Sequence, residues 1–183
     1  MKPDIWKRIE SRQVADCRVF RIREDVCRRD GEKEAEHNFF VIENPDWVNI
    51  IGLTKDQEVV LIEQFRHGTE EIILEIPGGM LDEGEDPERA ARREMAEETG
   101  FEADDFVYLG KSRPNPAIQN NTIYHFLARN CEKRSETSFD EHESVITRLV
   151  PYEEIKKLVA EGRITHALAV TGFYYLALHL EKL

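Results

Sequence analysis

The chain of 183 residues is poor in three things that would assign it to a special class. Cysteine occurs three times, at Cys17, Cys27 and Cys131, an odd number without the short spacings of a zinc site. That pattern argues against a disulfide framework and fits a reducing, cytoplasmic setting, with the thiols read as small buried hydrophobes. Positive charge is also scarce: 25 lysines and arginines against 37 acids leave a net charge of -12. A nucleic-acid backbone or an anionic membrane is therefore not expected as a partner. Long apolar runs are missing too, since the most apolar segment, residues 167–180, is too short for a bilayer and contains His179. Met1-Lys2-Pro3-Asp4 leads into charged sequence, so a secretory leader is not expected, and no repeat or low-complexity tract occurs.

What is present is globular. Apolar residues make up 40% and charged residues 34%, enough for one domain with a substantial core and too little length for two ordinary ones. Strand-like runs cover residues 13–42 as a hairpin about the turn Asp30-Gly31, then Trp47 to Leu53, Glu58 to Arg66 and Ile72 to Ile76. Further strands are expected over Phe106 to Leu109, Ile123 to Ala128 and Val145 to Val150. A helix follows over about residues 153–161, stopped by Gly162, and a last one over about 166–180. Thr165 is the expected cap of that last helix, with Leu168, Phe173, Leu176 and Leu180 available to the core. Strands mixed with helices predict an α/β fold, an α/β/α sandwich on a mixed sheet with an N-terminal antiparallel β-hairpin. A lone hairpin is marginal in water, so residues 1–45 are expected as an extension that packs on something, a second subunit being one choice, and residues 46–183 as the main domain.

The chemistry concentrates between Gly79 and Phe101. Here Asp86 can cap a helix, Pro87 suits its first position, Glu88 favours its positive end and Gly100 suits a left-handed C-terminal cap. At about 100° per residue Glu94, Glu97 and Glu98 share one sector of that helix. Such crowded carboxylates repel, Arg93 can pair with Glu97, and one guanidinium is not enough for the set. A hard divalent cation such as Mg²⁺, with Mn²⁺ as the alternative, would answer the charge with oxygen ligands. The competing reading is a solvated acidic face. Ala90 and Ala91 flank the sector and favour a side turned to the protein body, while Pro77-Gly78-Gly79 offers a backbone without bulk nearby.

Gly79, Glu85, Arg93-Glu94, Glu97-Glu98 and Gly100, with Met95 and Phe101 at the bulky apolar places, resemble the Nudix box at every specified position. The likeness extends over most of the chain, through Val60 to Arg66, Leu74 to Gly79 and Glu161 to Thr165, to the branch of ADP-ribose and nucleoside diphosphate sugar pyrophosphatases. That resemblance implies a cytoplasmic homodimer that hydrolyses a nucleoside diphosphate sugar, with Mg²⁺ held by Glu94, Glu97, Glu98, Glu143 and the Gly78 carbonyl. It implies Glu141, on an acidic loop before the Val145 strand, as general base, with Glu97 next in line. Substrate contacts are implied for Arg66 on the diphosphate, Trp47 and Trp6 on the base, and for Glu75 and Pro116. Each has a plainer alternative: a surface arginine, a core or interface tryptophan, a solvated acidic turn. Asn115-Pro116-Ala117 and Asn120-Asn121 do not fix one base. The rival functions are a Nudix hydrolase for another nucleoside diphosphate derivative or a dinucleotide, and a Nudix-fold sensor that binds a nucleotide sugar without cleaving it.

Overall fold

The computed structural model describes residues 2–31, 35–138 and 144–181, and divides into two compact units. The first comprises Met1–Pro45 and Arg113–Thr122. Strands β1 (Trp6–Asp16), β2 (Arg21–Arg29) and β3 (Glu36–Glu43) form an antiparallel sheet in that order. The β2–β3 pair is the hairpin that the Asp30-Gly31 signal predicts. Strand β1 is an addition, and its illegibility has a cause. Ladder irregularities fall between Arg8 and Glu10 and between Gln13 and Ala15, so its apolar residues do not alternate. The β1–β2 turn is equally silent: Arg18 takes φ 67, and Cys17 N–H donates to Phe20 O at 2.9 Å without a glycine, proline or asparagine.

Side chains bind this sheet as well as its ladder. Glu24 and Asp25 are buried yet partnered, Glu24 by Arg12 and Asn38, and Asp25 by Ser11 and Arg23. Burial pushes the Asp25 carboxyl up, but the bonds from Ser11 and Arg23 outweigh it and its pKa is lowered.

The second unit, Asp46–Ser112 and Ile123–Leu183, holds an eight-stranded mixed sheet. Its centre is β4 (Trp47–Thr54), β5 (Glu58–Arg66) and, later in the chain, the long β10 (Ile123–Lys133), which runs parallel to β4. β6 (Glu71–Glu75) pairs with β5, β7 (Gly78–Met80) with β4, and β8 (Phe101–Glu102) and β9 (Asp105–Ser112) with β10. β11 (Val145–Pro151) closes the β5 side. The helices are α1 (Pro87–Thr99), α2 (Tyr152–Ala160) and α3 (Ala167–Leu180).

Period-two alternation separates two cores. Val48 and Ile50 face one way, with Val60, Phe126 and Ala128, and meet Ala90, Ala91 and Met95 of α1. Ile51 and Leu53 face the other way, with Val59, Leu61 and Leu127, and meet Ile155 of α2 and Ala169, Phe173 and Leu176 of α3. Each fully buried aliphatic side chain contributes about 1.5–3 kcal/mol, so both layers are firmly held. This is the α/β/α sandwich expected from the strand and helix pattern.

Four local expectations need correction. Of the cysteines read as buried hydrophobes, Cys131 is buried, Cys27 is half-buried and Cys17 is exposed, because it lies in the β1–β2 turn. Thr165 does not cap α3; His166 occupies the cap position and makes no side-chain capping bond, because its ring is engaged elsewhere. Leu180 is exposed, since the helix has run past the sheet by its last turn. The short strands β7 and β8 go unseen in the sequence because glycines and a two-residue bridge carry no periodicity.

Candidate active site

Helix α1 begins and ends where its caps dictate. The Asp86 carboxylate accepts from the N–H groups of Glu88 and Arg89 at 3.0 and 3.2 Å, and Gly100 closes the helix at φ 72. With Ala90, Ala91 and Met95 fully buried, the adjoining sector carrying Glu94 and Glu98 is drawn against the glycine strand β7.

That strand is oriented by its own ladder. Ile50 N–H donates to Pro77 O and Leu81 N–H to Asp46 O, so residues 77, 79 and 81 point their backbone groups at β4. Residues 78 and 80 therefore point theirs the other way, toward α1. Gly78 N–H donates to Glu98 Oε2 at 2.9 Å, and Met80 O accepts from Arg93 Nη2 at 3.1 Å. Gly79 has no room for a β-carbon, because the Glu94 carboxylate fills that space.

Arg93 is the hub of the acidic sector. Its Nε and Nη2 hold Glu85 at 3.2 and 2.9 Å, and its Nη1 reaches Glu94 at 2.8 Å and Glu97 at 3.1 Å. With the bond to Met80, all five guanidinium N–H groups are used. The pairing of Arg93 with Glu97 is as expected, and it extends to Glu85 and Glu94. The bond to Glu85 above all raises the Arg93 pKa against the effect of burial, and the same bond lowers that of Glu85.

A second cluster lies at the ends of β5 and β6. Glu75 is fully buried; its Oε1 accepts from Arg66 Nε at 2.7 Å and its Oε2 lies 2.5 Å from His166 Nδ1. Burial pushes the Glu75 carboxyl up, but the bonds from His166 and Arg66 and the Arg66 charge prevail, so its pKa is lowered. The two clusters share one run of backbone, residues 75–79: Glu75 meets Arg66 and His166, Gly78 meets Glu98, and Gly79 meets Glu94.

Of the remaining candidates, Trp47 belongs to the second unit, Trp6 and Pro116 to the first, and two lie outside the described residues. Trp47 starts β4 opposite Met80, half-buried, and its indole Nε1 has no hydrogen-bond partner among the described residues. In the first unit Trp6 packs edge-on against His37 and Phe39 with Arg29 over its ring, and Pro116 is exposed in a turn closed by Ile118 N–H on Asn115 O. Glu141 and Glu143 lie outside the described residues.

Among the described residues, no three acidic, histidine or cysteine side chains converge as a ready metal cluster. The donor chemistry nonetheless fits a hard cation: Glu94, Glu97 and Glu98 supply carboxylate oxygens, and the Gly78 backbone lies beside them, its N–H on Glu98. His166 is the residue that sequence reasoning missed, being legible there only as a helix start. No local signal ties it to Glu75, because the contact joins the end of one strand to the start of a distant helix.

Comparison with known proteins bears on the whole arrangement. The chain is 30% identical over 174 residues to the methanol dehydrogenase activator of Bacillus methanolicus, covering 94% of this chain and 92% of that one. It is 28% identical over 179 residues to an ADP-ribose pyrophosphatase of Bacillus subtilis (strain 168), covering 94% and 95%. The crystal structure of an ADP compounds hydrolase shares the fold, with a TM-score of 0.85 at 23% identity over 97% of this chain and 95% of that one. Residues 44–169 match the NUDIX domain, the span that contains β7, α1 and both clusters, and the chain accordingly belongs to the NUDIX family of hydrolases.

Proposed function

We propose that this Nudix hydrolase cleaves the diphosphate bond of nucleoside diphosphate sugars such as ADP-ribose or GDP-mannose, releasing a nucleoside monophosphate and a sugar phosphate. The observation that carries the reading is the shared backbone run 75–79, which joins a phosphate-suited guanidinium to the carboxylate face of α1. The name of the Bacillus subtilis relative supports the same substrate class.

In this reading Glu94, Glu97, Glu98, Glu143 and the Gly78 carbonyl hold Mg²⁺, or Mn²⁺ in its place. When bound, the metal neutralises the diphosphate and makes water a nucleophile near neutral pH. Arg66 steadies the phosphates through a planar fork of donors. Glu141 takes the proton of the attacking water, with Glu97 as the second choice of base. Trp47 and Trp6 offer aromatic faces to the base, and Pro116 borders it. Residues 1–45 are the proposed homodimer-forming extension, which exposes Ile9, Val14, Phe39 and Phe40; a monomer by light scattering at micromolar concentration would count against it.

The deciding experiment is a hydrolysis panel in Mg²⁺ containing ADP-ribose, GDP-mannose, ADP-glucose, UDP-glucose and a dinucleotide, with products separated by chromatography. Release of nucleoside monophosphate and sugar phosphate is the expected result. Cleavage of the dinucleotide alone would replace the substrate class, and tight binding without turnover would make the protein a sensor.

A further inference from the structure

The second cluster contains a feature that phosphate binding alone does not require. Glu75 is fully buried, and a buried carboxylate needs a donor on each oxygen. The β5–β6 register pairs Ile62 with Glu75 and Arg66 with Glu71, so Arg66 lies four positions along the strand from the residue opposite Glu75 and reaches back to it. It makes that contact through Nε alone, at 2.7 Å. The other oxygen, Oε2, lies 2.5 Å from His166 Nδ1 in an ion-pair contact; the angle falls short of a well-aligned hydrogen bond, and neither atom has another hydrogen-bond partner among the described residues. Among the described residues no further hydrogen bond or ion pair is made by the Arg66 guanidinium, and its side chain is 41% exposed.

We propose that His166 is a positioning residue for phosphate binding: by occupying Glu75 Oε2 it confines Arg66 to a single bond on Oε1 and keeps the Nη1–Nη2 edge of the guanidinium outward. Without a donor on Oε2, the carboxylate would take the planar fork of Arg66 on both oxygens, the geometry that arginine and carboxylate favour. That edge would then be spent inside the protein. His166 sits at the start of α3 with no capping bond of its own, so its ring is committed to Glu75 and not to the helix. Glu75 is thereby a support for Arg66 and not a substrate contact.

This inference rests on the substrate reading given above, and two variants separate hydrogen bonding from packing. H166F keeps the ring and removes the donor, whereas H166N loses the ring but can place its amide Nδ2 where Nδ1 stood. The expected result is a KM for the nucleoside diphosphate sugar raised about tenfold in H166F, with a smaller change in kcat, and a KM near that of the wild type in H166N. Equal KM in H166F and wild type, or a rise in H166N as large as in H166F, overturns the proposal. Crystal structures of both variants provide a readout that needs no turnover. Arg66 should chelate both Glu75 oxygens in H166F and one in H166N, and an unmoved guanidinium in H166F also overturns it. Should the wild type cleave no nucleotide sugar, the substrate reading fails on the panel and the crystallographic comparison still decides the positioning role.

Discussion

The carboxylate of Glu94 lies against the α-carbon of Gly79, in the space that any other residue would fill with its side chain. The glycine is thus required by close approach across β7 and α1. Gly79→Ala must push Glu94 out of place or part the strand from the helix. We expect a stability loss of about 1–3 kcal/mol in urea denaturation and a fall in turnover of at least about tenfold. Gly68, where an added β-carbon meets nothing within 4 Å, is the control. Gly68→Ala should change stability by less than about 0.5 kcal/mol.

Glu98→Gln tests the charge without disturbing the geometry. The amide oxygen can still accept Gly78 N–H, so thermal stability should hold. Turnover should fall about a hundredfold or more if the carboxylate binds the cation, since metal charge stabilisation is worth several kcal/mol. Near-normal turnover at saturating Mg²⁺ would remove Glu98 from the metal set.

Arg93→Met strips the guanidinium from Glu85, Glu94 and Glu97 at once. The expected cost is about 2 kcal/mol of stability measured in a chelator, from lost charge-assisted bonds and unmasked repulsion. A divalent cation would relieve part of that repulsion. The difference in melting temperature between variant and wild type should therefore shrink when Mg²⁺ replaces the chelator, and an unchanged difference would separate the acidic sector from metal binding.

His125 sets the pH response of the second unit. It is buried, stacked on Tyr175 and bonded to Ser112 through Nε2, and burial lowers its pKa from 6.5 to about 4. Between those values the unfolded chain binds the proton and the folded chain does not, so stability falls as pH drops from 6.5 toward 4. The full effect is on the order of 3 kcal/mol. His125→Phe should flatten urea-denaturation stability between pH 7 and about pH 5. At lower pH, Glu75 and Glu85 act in the same direction: their folded pKa values are depressed, so the stability they contribute is present above the ordinary carboxylate range and is lost below it.

Helix α1 was the most legible part of the chain. Asp86, Pro87 and Gly100 act within a turn of themselves, and Ala90, Ala91 and Met95 keep helical spacing, so its limits and inward face follow from local rules. The core strands were legible for a similar reason, because apolar runs such as Val59 to Ile62 need no distant partner to declare themselves. Strand β1 was hidden by exposure and by its bulges, and Arg18 forms a turn that ordinarily advertises itself with glycine or asparagine. Of the candidate site, the type of each carboxylate and the Arg93–Glu97 pair within α1 were visible, and the partners on other elements were not.

By itself, then, the sequence determined the family, the sandwich of helices and sheet, and the carboxylate face of α1, because each of these rests on spacing along one element. Only the tertiary structure decided that Arg93 spends every donor on its neighbours, that Glu94 needs the missing side chain of Gly79, and that His166 meets Glu75. Apart from the bonds of Arg93 to Glu94 and Glu97 within α1, those contacts join separate parts of the chain, and their distances are set by how β4, β5 and β10 hold β6, β7 and the helices in place, which no local pattern encodes.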